Sequence, residues 1–135
     1  MTIEILLEIF PKELMDYFKI TGIELFGNVQ LKRDYWIIDF EEKNEVPLQY
    51  VAVDYESKGF LDAKLVQDFP IRGKGVFLRI RKRRWRHKLT GAIIQSNLSF
   101  LAAGSKFTQE LSDFLKDGSS YATRYHNQYS QLLPD

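Results

Sequence analysis

The sequence contains no cysteine among its 135 residues. A disulfide framework is therefore excluded, and so is a zinc site built on thiolates. The two histidines, His87 and His126, each lack a second ligand at metal-binding spacing. We therefore expect neither a structural metal ion nor a cofactor.

Long apolar runs are also missing. No stretch approaches the roughly 20 consecutive apolar residues that a membrane-spanning helix needs. The first ten residues, MTIEILLEIF, carry glutamates where a secretory signal would carry positive charge. These absences predict a cytoplasmic protein that does not engage a membrane.

Arrangements typical of catalysis are scarce as well. The glycines on either side of Lys74 lack the longer phosphate-binding frame that ends in Gly-Lys-Ser/Thr. No Ser/His or Cys/His pattern is present. Asp39 and Asp54 fall on strands that are candidates for neighbours, which leaves a metal-dependent nuclease as an alternative. We expect the chain not to be an enzyme.

Hydrophobic periodicity divides one domain, residues 1–135, into three segments. Residues 1–21 show the three- and four-residue steps of an amphipathic helix. Residues 22–104 alternate like strands and predict an antiparallel sheet of about five or six strands. Residues 105–135 return to helical spacing. The predicted fold class is α+β, with an N-terminal helix, an antiparallel sheet containing a basic β-hairpin, and C-terminal helices.

Several boundaries follow from local signals. Gly22 is predicted to stop the first helix. The run LQYVAVDYES, which follows Pro47, is predicted to be a strand. Ser105 is a candidate helix N-cap and Gly118 a stop. The two short helices expected on either side of Gly118-Ser-Ser fit a packed helical hairpin or part of a helix-turn-helix.

The most unusual feature is a segregation of charge that the net value of +1 conceals. Residues 72–88 contain nine Lys/Arg and no Asp or Glu, whereas the rest of the chain has ten bases against eighteen acids. Such segregation indicates a defined anion-binding patch rather than a generally basic surface. The simpler interpretation is a solvated charged strand.

Alternation within this segment predicts a strand with two distinct faces. Val76, Leu78 and Ile80 should point to the core, and the opposite face should carry Phe77, Arg79, Arg81, Arg83 and Trp85. The turn at residues 88–91 should return the chain as an antiparallel partner, AIIQSNLSFL. The candidate nucleic-acid-binding residues are Arg72, Lys74, Arg79, Arg81, Arg83, Arg84, Trp85, Arg86 and Lys88.

An ordered set of residues in this part of the chain resembles a known family. Asp68-Phe69-Pro70-Ile71, then Gly73, an apolar strand, and Arg83-Arg84-Trp85 are similar to the N-terminal region of transposases from bacterial insertion sequences. In those proteins a zinc ribbon precedes a helix-turn-helix and a DDE catalytic domain. The segment AAGSKFTQELSDFL is similar to the one that leads into the helix-turn-helix there. The likeness covers roughly residues 59–115 and is best for a subgroup in which this region is a separate short reading frame.

The departure from this family is as informative as the likeness. Zinc-bearing relatives have a cysteine pair after the Arg-Arg-aromatic run, where this chain has Arg86-His87-Lys88-Leu89-Thr90-Gly91. A ribbon hairpin here would be held by packing and backbone pairing instead of metal. A DDE domain is larger than the remaining chain accommodates. The resemblance therefore implies a DNA-binding accessory piece, not the catalyst.

Together these observations predict a protein that binds transposon-end duplex DNA on behalf of a separate catalytic transposase subunit. The basic residues would contact phosphates, which position a protein without reading sequence. Trp85 would pack at the edge of the patch or touch a sugar or base. The alternative is a protein-interaction module, whose basic strand docks an acidic surface on a catalytic subunit or on a second copy of the chain.

We predict that the isolated chain does not cut or join DNA, because it has no convincing set of carboxylates to hold catalytic metal ions. Incubation of the pure protein with plasmid DNA and Mg²⁺ or Mn²⁺ tests this. Metal-dependent cleavage that is lost in Asp39→Ala or Asp54→Ala would contradict the prediction.

Overall fold

A computed structural model describes residues 10–99, 108–116, 129 and 131–133. It is mostly β, with 50% strand and 17% helix, and consists of two sheets and two short helices. The predicted α+β class is therefore wrong: strands dominate the described residues, and the helices among them are short. No helix in the described part of the chain is long and apolar enough to cross a membrane.

The described helices and strands follow one another in a simple order along the chain. They are α1 (Lys12–Tyr17), β1 (Phe18–Asn28), β2 (Arg33–Glu42), a 3₁₀ turn (Ala52–Asp54), β3 (Tyr55–Phe60), β4 (Lys64–Ile71), β5 (Lys74–Arg81), β6 (Arg83–His87), β7 (Ile93–Ile94) and α2 (Gln109–Lys116).

The first sheet has the strand order β1-β2-β5-β4. It joins two antiparallel hairpins, β1–β2 and β4–β5, through a parallel contact between β2 and β5. The expectation of a purely antiparallel sheet is therefore wrong. A parallel pair needs a long connection between its strands. Here the segment between Glu42 and Lys74 provides it and includes two strands of its own.

The second sheet is small and antiparallel, with the order β3-β6-β7. The basic segment is split between the sheets, because β5 ends at Arg81 and β6 begins at Arg83. The predicted turn after β6 is present, and Gly91 adopts a left-handed φ of 76° that suits glycine. The returning strand β7 is only two residues long, so the basic hairpin is much shorter than predicted.

The core lies on both faces of the first sheet. Val76, Leu78 and Ile80 are fully buried, as their alternation predicts, in a cluster with the helix residue Leu14 and with Phe40. The remaining members of that cluster are Phe10, Phe18, Ile38 and Val66. The opposite face is covered at one end only, by a second cluster of Tyr35, Ile37, Phe77, Leu111, Tyr129 and Leu132.

The helix that the periodicity predicts to continue to residue 21 ends earlier. It has six residues and ends at Tyr17, because Phe18 is extended, with φ −124° and ψ 155°, and pairs with Glu42. The following residues include the β-branched Ile20, which favours a strand. Gly22, the predicted helix stop, lies inside β1 beside an irregularity in the pairing with β2.

Two further segments differ from their predicted structure. In the run after Pro47, Val51 and Val53 are exposed, a 3₁₀ turn replaces the first part of the predicted strand, and β3 begins only at Tyr55. At the C-terminal end, the structure describes one helix of eight residues, and most of the second predicted helix lies outside the described residues. The predicted cap Ser105 and stop Gly118 lie outside the described residues.

Helix α2 is anchored to the edge strand β4 by the residue that precedes it. The Thr108 N–H donates to the Gln67 carbonyl at 2.9 Å, and the Thr108 hydroxyl donates to Asp68 Oδ1 at 3.0 Å. The same hydroxyl oxygen accepts from the Leu111 N–H, as in an N-cap. Burial raises the pKa of the Asp68 carboxyl above its usual value. These contacts position Leu111 over the second cluster.

We predict that Gly75→Ala lowers the free energy of unfolding by about 1–3 kcal/mol, since overpacking a filled core is destabilising. The added Cβ would lie 2.5 Å from Leu132 Cδ1 and 3.2 Å from Tyr35 Cβ. Urea denaturation measures the change. Gly27→Ala is the matched control, because its Cβ meets only Asp34 Oδ1, at 3.4 Å. Equal effects of the two substitutions would contradict the close packing of Leu132 on β5.

Candidate nucleic-acid interface

The nine basic residues of the 72–88 segment do not form one patch. The break at Lys82 places some of them on the first sheet, some at the junction of the sheets and some on the second sheet. Each group has a different environment, and the environment decides which charges remain available to an anion.

On the first sheet, the basic residues face acids from the neighbouring strand. In the parallel register, Arg79 pairs with Asp39 and Arg81 pairs with Glu41. Arg79 Nη1 lies 3.0 Å from Asp39 Oδ1, and Arg81 Nη1 lies 3.8 Å from Glu41 Oε2. These partly exposed pairs add little to stability. They do cancel the positive charge that this face would otherwise present to a polyanion.

At the junction, Arg83 is used inside the protein. Its backbone N–H donates to Glu42 Oε1 at 2.9 Å, its Nε to the Glu42 carbonyl, and its Nη1 to Ser57 Oγ at 2.7 Å. Its guanidinium also covers the Phe60 ring at 4.4 Å. The predicted row of three arginines on one strand face is therefore wrong, because Arg83 belongs to the other sheet.

Lys82 is also committed to internal contacts. Its Nζ donates to the Ser96 carbonyl at 2.7 Å and to Gln95 Oε1 at 3.1 Å. Burial lowers the pKa of this ammonium group, although the Glu42 carboxylate opposes the shift. The Glu42 side chain is itself buried and accepts from the Ser96 hydroxyl at 2.6 Å. Glu42 is thus the buried acceptor that joins the two sheets.

Trp85 lies in the interior, not at the edge of a binding patch. Its side chain has no exposed surface, and its indole Nε1 donates to Asn44 Oδ1 at 2.9 Å. The expectation that Trp85 touches a sugar or base is therefore wrong. Its burial follows from alternation along β6, since Trp85 points inward while Arg84 and Arg86 point to the other face.

Arg84 and Arg86 lie on that outer face of the second sheet. Neither forms an ion pair within the described residues, although Glu56 is the register partner of Arg86. Arg84 Nη2 donates weakly to the Lys58 carbonyl at 3.4 Å. Arg84 Nε is buried and has no hydrogen-bond partner in the described part of the chain. The exposed Lys88 follows in the turn after β6.

The remaining two bases lie near the β4–β5 turn. Arg72 and Gly73 form a two-residue turn in which both have positive φ, 50° and 75°, as tight hairpins require. Arg72 is exposed and Lys74 is half-buried. Arg33 supports the turn by donating from Nη1 to the Gly73 carbonyl at 2.9 Å. This turn lies at the far end of β5, about 26 Å along the strand from Arg81.

The carboxylates considered for a nuclease site are not neighbours. Asp39 is on β2, in the ion pair with Arg79, whereas Asp54 is in the 3₁₀ turn that leads into the second sheet. His87 accepts the backbone N–H groups of Leu89 and Thr90 through Nδ1 and so shapes the turn after β6. In the ranges that the structure covers, no group of three His, Asp or Glu side chains could hold a metal ion.

Comparisons of the chain with protein-family models, with curated proteins and with solved structures find no match.

The sequence did not reveal the residues that determine which of these basic side chains are paired with acids and which are not. Asp39 and Glu41 were visible as alternate acids on a predicted strand, but no local signal pairs that strand with β5. No local signal in the sequence marks Glu42 as buried or Asn44 as a hydrogen-bond partner of a buried side chain. Their role depends on contacts with Arg83 and Trp85, about 40 positions along the chain.

We predict that Arg83→Ala lowers the free energy of unfolding by about 1–3 kcal/mol, because it removes two side-chain hydrogen bonds and exposes the Phe60 ring. Arg79→Ala should change it by no more than about 1 kcal/mol, because an exposed ion pair contributes little. Urea denaturation of both variants measures the difference. An Arg83→Ala variant as stable as Arg79→Ala would contradict the structural role of Arg83.

Proposed function

We propose that the chain binds the phosphate backbone of duplex DNA through Arg84, Arg86 and Lys88, which we call the basic face. The observation that carries this proposal is the unequal pairing of the basic segment. Arg79 and Arg81 are paired with acids, whereas Arg84 and Arg86 have no ionic partner among the described residues. Apart from Lys82 and Arg83, which are committed to internal contacts, the residues of the basic segment without an ionic partner among the described residues are therefore Arg84, Arg86 and Lys88 on or beside the second sheet, and Arg72 and Lys74 at the β4–β5 turn.

The spacing of the two arginines supports this ligand. Alternate residues of a strand lie about 6.6–6.8 Å apart. Adjacent phosphates along one DNA strand, which are separated by both a rise of about 3.4 Å and a rotation around the duplex, lie roughly 6.5–7 Å apart in space. Arg84 and Arg86 therefore match the repeat of the backbone over the short distance for which strand and duplex run together.

Arg84 is positioned for a phosphate contact through the end of its side chain. Its Nε has almost no exposed surface, so a phosphate would bind the terminal Nη groups and form charge-assisted hydrogen bonds there.

We further propose that the DNA is a transposon end and that the chain acts for a separate catalytic subunit without being an enzyme. This part rests on the sequence resemblance to insertion-sequence transposases and on the absence of a clustered carboxylate set among the described residues.

A second candidate is docking of the basic face onto an acidic protein surface. Exposed apolar side chains favour this function. Ile93, the register partner of Arg86, is 51% exposed, and Leu89 is 91% exposed. Apolar side chains among basic ones are typical of a protein interface. A DNA backbone gains little from either residue.

We predict that Arg84→Gln and Arg86→Gln each weaken duplex binding and reduce the slope of log affinity against log salt by about 0.9, the value for one phosphate contact. The matched controls are Arg79→Gln and Arg81→Gln, which remove the same charge from residues that are already paired. Gel shift or fluorescence anisotropy over a salt series measures both quantities.

An equal loss of DNA affinity in all four variants would contradict the proposal. Binding would then depend on the net charge of the protein and not on the residues of the basic face. If the parent chain binds no duplex DNA but forms a stoichiometric complex with an acidic protein that Arg86→Gln weakens, the docking function replaces DNA binding. Thermal unfolding of each variant establishes that it is folded before binding is compared.

A further inference from the structure

The outer edge of β1 is a second surface whose chemistry the basic face does not explain. β1 is eleven residues long, and only its inner edge pairs with another strand in the described part of the chain. Ile23 and Leu25 on this strand are 46% and 45% exposed. A long edge strand with exposed apolar residues is a template for pairing with another strand.

An irregularity in β1 sets which side chains share a face. The register with β2 shifts between Ile20 and Gly22, where Thr21 is an extra residue, as in a β-bulge. In a regular strand Lys19 and Glu24 would lie on opposite faces, because their positions differ by an odd number. Here both pair with odd-numbered residues of β2 and therefore lie on the same face.

The same shift aligns the apolar residues on the other face. Ile20 and Ile23 both pair with even-numbered residues of β2, and so does Leu25. The face with Ile20 and Ile23 continues the apolar surface of the first cluster, which partly covers Ile20. Because of the bulge, Lys19 and Glu24 share one face of β1, and Ile20 and Ile23 share the other. In each pair the two residues are equally far along the strand from the point between Thr21 and Gly22.

We infer that β1 pairs antiparallel with β1 of a second copy of this chain, about a two-fold axis between Thr21 and Gly22. In this register Lys19 of each copy lies opposite Glu24 of the other, and Ile20 lies opposite Ile23. Opposed residues of an antiparallel pair must share a face, and the bulge satisfies this condition at both pairs.

The strand is therefore complementary to itself in charge as well as in shape. Neither Lys19 nor Glu24 forms an ion pair with a described residue, so both charges remain available to a second copy. A two-fold interface contains each contact twice, which gives two Lys–Glu pairs and two Ile–Ile pairs. The result is a continuous eight-stranded sheet with the basic faces outside the contact.

The absence of cysteine allows a direct test of this register. Full-length Lys19→Cys and Glu24→Cys variants are mixed under mild oxidation. Opposed residues in an antiparallel pair have Cα atoms about 4.5–5.5 Å apart, within disulfide range. We expect a disulfide between the two variants in the mixture and far less in either variant alone, since identical positions lie about 17 Å apart along the strand.

Glu56→Cys mixed with Lys19→Cys is the control for random collision, because Glu56 is exposed on the second sheet. Equal cross-linking in this control and in the test pair would overturn the inference. Sedimentation of the parent chain as a monomer at the highest attainable concentration would also overturn the inference. A monomer is the expected result if another segment of the same chain covers the outer edge of β1.

Charge reversal gives a second measurement that needs no cross-link. Glu24→Lys should weaken self-association about tenfold, because both ionic pairs become repulsive. Adding Lys19→Glu to Glu24→Lys should restore it, since the pairs are then reversed and complementary. Loss of association in both the single and the double variant, with thermal unfolding unchanged, would contradict the proposed register. None of these measurements depends on DNA binding.

Discussion

The parallel contact between β2 and β5 is the constraint on which the rest of the structure depends. It unites two hairpins into one sheet and brings Ile38 and Phe40 beside Leu78 and Ile80 in the core. The same register places an acidic row beside a basic row on the opposite face. Because one register determines both faces, the core cannot form without also neutralising Arg79 and Arg81.

The junction at Lys82 and Arg83 has a comparable influence on the second sheet. Glu42, the last residue of β2, accepts the Arg83 backbone N–H and the Ser96 hydroxyl, and the adjacent loop provides Asn44 for the Trp85 indole. A buried carboxylate is costly unless it is hydrogen-bonded. Its contacts therefore hold the start of β6 in a defined position, which directs Arg84 and Arg86 away from the core.

The domain therefore has two separate surfaces that can bind a partner, the basic face and the outer edge of β1. The basic face lies on the second sheet, where charge is left without ionic partners among the described residues. The β1 edge lies at one side of the first sheet, and two strands separate it from β4 at the other edge. A protein that binds DNA with one surface and a second copy with another would present two basic faces related by two-fold symmetry, an arrangement suited to paired DNA sites.

Local sequence determined the inward face of β5, the turn at Arg72-Gly73 and the turn that ends at Gly91, because alternation and glycine conformation act over a few residues. It also identified the acid-free basic segment. It did not determine the fold class, since helical spacing near residues 1–21 competes with strand pairing from Phe18 onward, and pairing with Glu42 prevails. Only the tertiary structure decided which strand lies beside β5 and where the basic strand breaks, because partners such as Asp39 and Glu42 lie about 40 residues away, and strand pairing leaves no local signal.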